Sequence, residues 1–330
     1  MRAARLVAVG DLRVTDEAPP PPAQPGMSLV RVSAVGICGS DLHWWDEGAI
    51  GDAKLTDPLV LGHEGAGVVE SGPLAGRLVA IDPAIPCEVC RACRDGYRNL
   101  CLSLTFAGHG KTDGMLRELM TWPAARLHPL PETMSAADGA MLEPLGVAIH
   151  ALDLGHLPFA GTASVIGCGP IGLLLIQLLK AAGASSVLAA EPLAHRREAA
   201  LTCGADAVIG PDEAGLGEAG ADVAFETAGG AETVQLAMTS VRPGGRVVLA
   251  GIPGDDTTSF AASVARRKGL TIALVRRMNE VYPRAISLAE RGVVRLDALV
   301  TGRFGMDAAA DAFGQAARRT GLKVIIEPQL

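Results

Sequence analysis

Two textures of hydrophobic patterning divide this chain. Through its first 130 residues the apolar stretches are short and bounded by glycine, proline and charge, which predicts strands at Ala4–Val9, Ser28–Ala34, Leu59–Gly62 and Arg77–Pro83. The proline run within Ala18–Gly26 reads as a rigid loop joining the first two. Ser135 can cap a short helix over Ala136–Ala140. From Ala163 the pattern becomes strand alternating with helix. Strands are predicted at Ser164–Gly167, Ser186–Ala190, Ala207–Ile209, Val223–Glu226, Arg246–Gly251 and Leu270–Val275, and helices at Ile171–Ala182, Arg196–Cys203 and Ala231–Val241. Such alternation predicts a doubly wound parallel sheet. The last pieces are helices over Tyr282–Arg291 and Asp307–Arg318 and a strand at Lys323–Ile326. A six-stranded sheet does not need them, so they are assigned back to the first domain. The expected division is residues 1–152 with 280–330, against 153–279.

Composition narrows the class. A chain of 330 residues with 49% hydrophobic content can fill two cores. A net charge of −7 argues against a nucleic-acid partner. The apolar run after Arg2 and Arg5 stops at Asp11, too soon for a secretory leader. His156 and Lys180 enclose 23 residues without formal charge, long enough to span a bilayer. Gly161, Gly167, Gly169, Pro170 and Gly172 inside that stretch fit a strand–turn–helix instead, so no membrane partner is expected. Seven cysteines, four of them clustered, imply a reducing cytoplasmic setting and metal binding rather than disulfides.

The chemistry concentrates in Gly36–Gly67. A thiol (Cys38), a hydroxyl (Ser40), two imidazoles (His43, His63) and a carboxylate (Glu64) fall within it. Sulfur, nitrogen and one hard oxygen suit Zn²⁺ with a place left open, which is a catalytic arrangement. Cys87, Cys90, Cys93 and Cys101 follow as C-x₂-C-x₂-C-x₇-C, a set that closes a tetrahedron and is structural. A redox pair is the alternative, but two cysteines would serve it. Glu143 lies before a proline in an apolar run, where a carboxylate is costly unless paired, bound to metal or set at a helix N-terminus. Gly167-Cys-Gly-Pro-Ile-Gly172 matches G-x-G-x-x-G between a strand and a helix, so Gly167, Gly169, Pro170, Ile171 and Gly172 are candidates to cradle a pyrophosphate. Glu191, at the end of the next strand, can hold ribose hydroxyls and repels a 2′-phosphate, which favours NAD; Arg196 and Arg197 just downstream could instead meet that phosphate.

Together these motifs resemble the zinc-dependent medium-chain dehydrogenases over essentially the whole chain. The nearest likeness is to the polyol branch of sorbitol, xylitol and L-idonate dehydrogenases. It is carried by GICGSDLHWW (36–45), EGAIGD (47–52), PLVLGHE (58–64), LEPLGVAIHA (142–151) and GCGPIG (167–172). The resemblance implies an α/β chain with a GroES-like, mainly β catalytic domain and a doubly wound Rossmann domain. It implies a zinc on Cys38, His63 and Glu64, with Glu143 holding the metal's water or exchanging with it, and a second, structural zinc on the four cysteines. Ser40 and His43 would relay the hydroxyl proton while hydride passes to NAD⁺. Trp44, Phe106, Arg276 and Arg277 match substrate-pocket positions, and the paired arginines suit a sugar acid.

The chain departs from the family where Val68–Val79 is shorter than usual and where Trp44 replaces a frequent tyrosine. Other readings of the same scaffold are a secondary-alcohol or threonine-type dehydrogenase, and a non-catalytic NAD-binding sensor. A zinc-free quinone reductase would lack Cys38 and the cysteine cluster. The apolar Leu270–Val275 strand, placed at a sheet edge, suggests a homodimer or homotetramer.

Overall fold

The computed structural model describes residues 1–210 and 220–330, which form two compact units: Met1–Glu143 with Tyr282–Leu330, and Pro144–Val281. The division falls inside the Ala136–Gly155 helix and not at residue 152. That helix does not stop near Ala140. It runs 20 residues through Pro144, whose missing N–H leaves the turn at Ala140 without its usual donor.

The first unit is built on a seven-stranded sheet. Its path runs Leu127–Pro129, Leu78–Ile81, Glu64–Ser71, Met27–Gly36, Lys323–Glu327 and Val300–Gly305, with Leu119–Pro123 also paired to Met27–Gly36. The C-terminal strand therefore returns to this unit, as the spare elements required. In register, Gly36 sits opposite Glu64 on one side and Ile325 on the other. A strand the hydrophobic pattern did not reveal, Asp11–Asp16, pairs antiparallel with Arg2–Ala8 across a turn at Gly10 (φ 71°). Only Leu12 of it is buried, so it carries little apolar signal. The core beneath these sheets includes Val30, Val32, Val35, Leu61, Ile81, Met115, Phe313 and Trp44.

The second unit is a six-stranded, wholly parallel sheet in the order Ala207–Ile209, Ser186–Ala190, Thr162–Ile166, Ala221–Glu226, Val241–Leu249, Thr271–Leu274. Strand order reverses beside the central Thr162–Ile166 strand, and ligands of such sheets bind outside the strands' carboxyl ends at that switch point. The uncharged stretch after His156 is this strand followed by the Pro170–Ala181 helix, which is buried from Gly172 to Leu179. Among the described residues no helix is long and apolar enough to cross a membrane.

Candidate active site

Cys38 stands at the N-cap of the Gly39–Glu47 helix. Asp41 Oδ2 accepts its backbone N–H at 3.0 Å, and Gly48 (φ 65°) ends the helix in the left-handed region. Asp41 and Trp44, three residues apart, form the inward face. Asp41 is 1% exposed, accepts Gly62 N–H at 3.1 Å, and lies 3.5 Å from His63 Nδ1. This side chain holds both edges of the site in place, and no motif in the sequence marks it. The signal available was an acid three residues before a helical apolar pair, which is too common to single out.

His63 and Glu64 lie where the chain leaves the Leu59–Val60 strand, turns at Gly62 (φ 89°) and enters Glu64–Ser71. Both are buried. With Asp41 at Nδ1, His63 turns Nε2 the other way, where Ser40 Oγ lies 3.4 Å from it. One ligand atom each from Cys38, His63 and Glu64 falls within 4.8 Å of the others. Burial works against a proton on His63, yet Asp41 and Cys38 hold its pKa well above the ordinary value. Burial likewise pushes Asp41 up, but His63 and two backbone N–H groups keep its carboxyl below the usual range. A thiol, an imidazole and a carboxylate thus converge with a second carboxylate behind the imidazole, a donor set suited to zinc. A zinc ion fits it.

Glu143 is 4% exposed and stands outside that three-ligand group, though near enough to favour the charged form of Lys323. Lys323 itself was not foreseen. It is 2% exposed, its ammonium is ion-paired with Glu64 Oε2, and Glu64, Cys38 and Glu143 raise its pKa against the effect of burial. The space for this pair comes from Gly36, where a Cβ would run into Glu64 Oε2 and lie 2.9 Å from Lys323 Cε.

Phe106 packs its ring 5.4 Å from that of His63. Trp44 is 2% exposed, a core side chain edge-on to His109 at 5.6 Å. It belongs to the buried face of its helix. His43 lies on the half-buried face, with Nδ1 3.0 Å from Glu47 Oε1 one turn on.

The four cysteines form the second cluster, all sulfurs within 4.8 Å of one another and Cys90 Sγ 3.5 Å from Cys93 Sγ. Zinc–sulfur bonds of about 2.3 Å put tetrahedral thiolates about 3.8 Å apart, so zinc fits here too. The Cys93 backbone N–H helps bring the Cys90 thiol down to about 6, whereas burial pushes Cys93 up to about 12. Val89, Tyr97, Leu100 and Leu102 are exposed, so the loop has little core of its own. Glu88 ties it to Arg98 at 2.7 Å and to Arg126 at 2.5 Å.

In the second unit Gly167 (φ 92°) makes the turn, Gly169 caps the helix and Pro170 opens it, with Ile171 next. A Cβ on Gly172 would collide with the Gly167 carbonyl oxygen. Glu191 is 5% exposed, and its carboxylate accepts the N–H of Cys168 at 2.7 Å and of Leu193 at 3.1 Å. Arg196 reaches the outer face of Gly169, with Nη1 3.7 Å from where a Cβ would stand. Arg276 and Arg277 follow the Thr271–Leu274 strand, Arg277 in the left-handed region (φ 56°). Glu226, fully buried at a strand end, was also missed; it accepts the N–H groups of Ala228 and Gly229 at 2.8 and 2.7 Å.

The chain is similar to known proteins along its length. The alcohol dehydrogenase GroES-like domain matches residues 24–132, and the zinc-binding dehydrogenase domain matches residues 170–291. Sorbitol dehydrogenase of Macaca fascicularis is 35% identical over 96% of this chain and 93% of its own. The structure of L-idonate 5-dehydrogenase from Escherichia coli superposes with a TM-score of 0.92 at 26% identity, covering 99% of this chain and 97% of that one. A Sinorhizobium meliloti structure with NADP bound gives 0.89 at 31% identity over 99% of each chain. The chain is an oxidoreductase and belongs to the polyol branch of the zinc-dependent medium-chain dehydrogenases.

Proposed function

We propose that this protein oxidises a secondary hydroxyl of a polyol or sugar acid with NAD⁺, giving the ketose or keto acid. The observation that carries the reading is the mixed donor set of Cys38, His63 and Glu64 beside a separate four-thiol cluster. One thiolate, one neutral imidazole and one carboxylate neutralise a zinc ion while leaving a place on it. A zinc held there supplies a Lewis acid for a hydroxyl oxygen. Asp41 fixes the His63 tautomer so that Nε2 faces the donor set. Ser40, beside that nitrogen, would accept the hydroxyl proton, and His43, partly open to solvent, would pass it out. Glu143 is the reserve carboxylate, for a water in the site or for the metal itself. Glu191 supports NAD over NADP because its buried charge repels a 2′-phosphate.

Metal analysis and a substrate panel test this together. The protein is expected to carry two zinc ions per chain, and Cys38→Ser to keep one and lose about a hundred- to a thousandfold in kcat, the order by which removing a charge-stabilising group slows an enzyme. Sorbitol, xylitol, ribitol and idonate are expected to turn over with NAD⁺ faster than threonine or 2-butanol. Full activity of a zinc-free preparation would refute the reading, and preference for 2-butanol would move it to the secondary alcohols.

A further inference from the structure

Lys323 lies in the metal pocket, and neither the motifs nor the proposed reaction has a use for it. Its side chain is 2% exposed against 1% for Glu64, and three strands bring the pair together: Gly36 stands opposite Glu64 and Ile325, and Lys323 is two residues from Ile325, on the same face of its strand. Glu64 Oε2 is buried and makes no hydrogen bond besides this ion pair. A buried ion pair is a poor source of stability, because removing both charges from water costs as much as their attraction returns. The choice of cation is informative. An ammonium is a point charge that engages one carboxylate oxygen, whereas a guanidinium takes both in a fork.

We propose that Lys323 is a positioning residue for the catalytic metal: by occupying one oxygen of Glu64 it leaves only the other for zinc, so that Glu64 binds through a single oxygen and the fourth coordination place stays open for substrate. The inference rests on the proposed zinc site at Cys38, His63 and Glu64. It makes two substitutions act in opposite directions. Lys323→Met removes the competing cation, frees both oxygens of Glu64 and closes the open place. Lys323→Arg draws both oxygens away from the metal.

Zinc affinity, measured by chelator competition at one pH, and the visible spectrum of the cobalt-substituted protein read this out. The spectrum is taken as the difference from Cys38→Ser, whose remaining cobalt sits in the four-cysteine loop. Lys323→Met is expected to tighten zinc about tenfold and to change the cobalt bands from the intense four-coordinate to the weaker five-coordinate form. Lys323→Arg is expected to weaken zinc by about 10- to 100-fold, the usual effect of disturbing a ligand's partner. Lys323→Leu, which likewise offers Glu64 no donor, should follow Met and serves if Met does not fold. Weaker zinc in all three variants, or a Lys323→Met spectrum identical to the parent's, would overturn the proposal and leave Lys323 a packing residue. Parent protein that binds no metal at Cys38 would instead overturn the zinc site itself.

Discussion

His128 stacks face to face on Tyr282, with ring centroids 4.4 Å apart and planes 6° from parallel. Tyr282 is pinned beneath it by donating its hydroxyl to the Ile81 carbonyl at 3.1 Å. Burial, helped by the charge of Arg126, depresses the His128 pKa to about 4, and its Nε2 is buried without a hydrogen-bond partner. An unfolded chain protonates this imidazole near its ordinary value of about 6.5, and the folded one resists until about 4. Stability from His128 is therefore complete above about 6.5 and is lost as pH falls toward 4, by at most about 3 kcal/mol. His128→Phe keeps the stack and removes the proton. In urea titrations it is expected to match the parent's trend above pH 7 and to gain on it steadily between about pH 6.5 and 4. A parallel acid response in both proteins would show that His128 does not titrate this way. None of this was legible in the sequence, where His128 is one histidine in a loop-rich stretch. Cys38, His63 and the four cysteines were legible because metal ligands come in restricted types and spacings. Asp41 and Lys323 were not, because any buried acid or base can look the same until the fold shows what it faces.

At the scale of elements, the glycine turn of the parallel sheet depends on a contact and not on flexibility alone. Gly172 lets its helix pack onto the backbone of Gly167, so Gly172→Ala must displace either the turn or the helix. NADH affinity, followed by fluorescence, is expected to fall at least about tenfold, since a displacement costing about 1.4 kcal/mol already has that effect. Zinc content should stay unchanged, because both clusters lie in the other unit. Undiminished NADH binding would mean that the turn tolerates a methyl group. Most alternating elements of this unit were readable to within about five residues because buried parallel strands and apolar helices carry dense signals; the Ala262–Lys268 helix, which buries no residue, was not. The Asp11–Asp16 strand and the length of the Ala136–Gly155 helix were not. The first buries almost nothing, and the second runs on through a proline that usually marks an end.

For the whole molecule, the exposed edge at Thr271–Leu274 has a partner on one side only, the Val241–Leu249 strand, among the described residues. Leu274 there is 71% exposed. An apolar edge of this kind supports self-association by pairing with its copy. Leu274→Lys is expected to lower the mass measured by light scattering to that of a smaller assembly. If the parent is already monomeric, or the variant's mass is unchanged, the edge is not the interface. The chain also leaves its first unit at Glu143 and re-enters at Tyr282. That return was inferred from spare elements, but its consequence was not.

What the sequence determined by itself is the set of reactive groups and the repeating elements, since ligand chemistry and hydrophobic period are local properties. What only the tertiary structure decided is which distant charges meet. Gly36, Glu64 and Lys323 come from three strands and from both ends of the chain, and strand register brings them together. No spacing along the sequence encodes that, because register is settled by burying whole faces of a sheet at once.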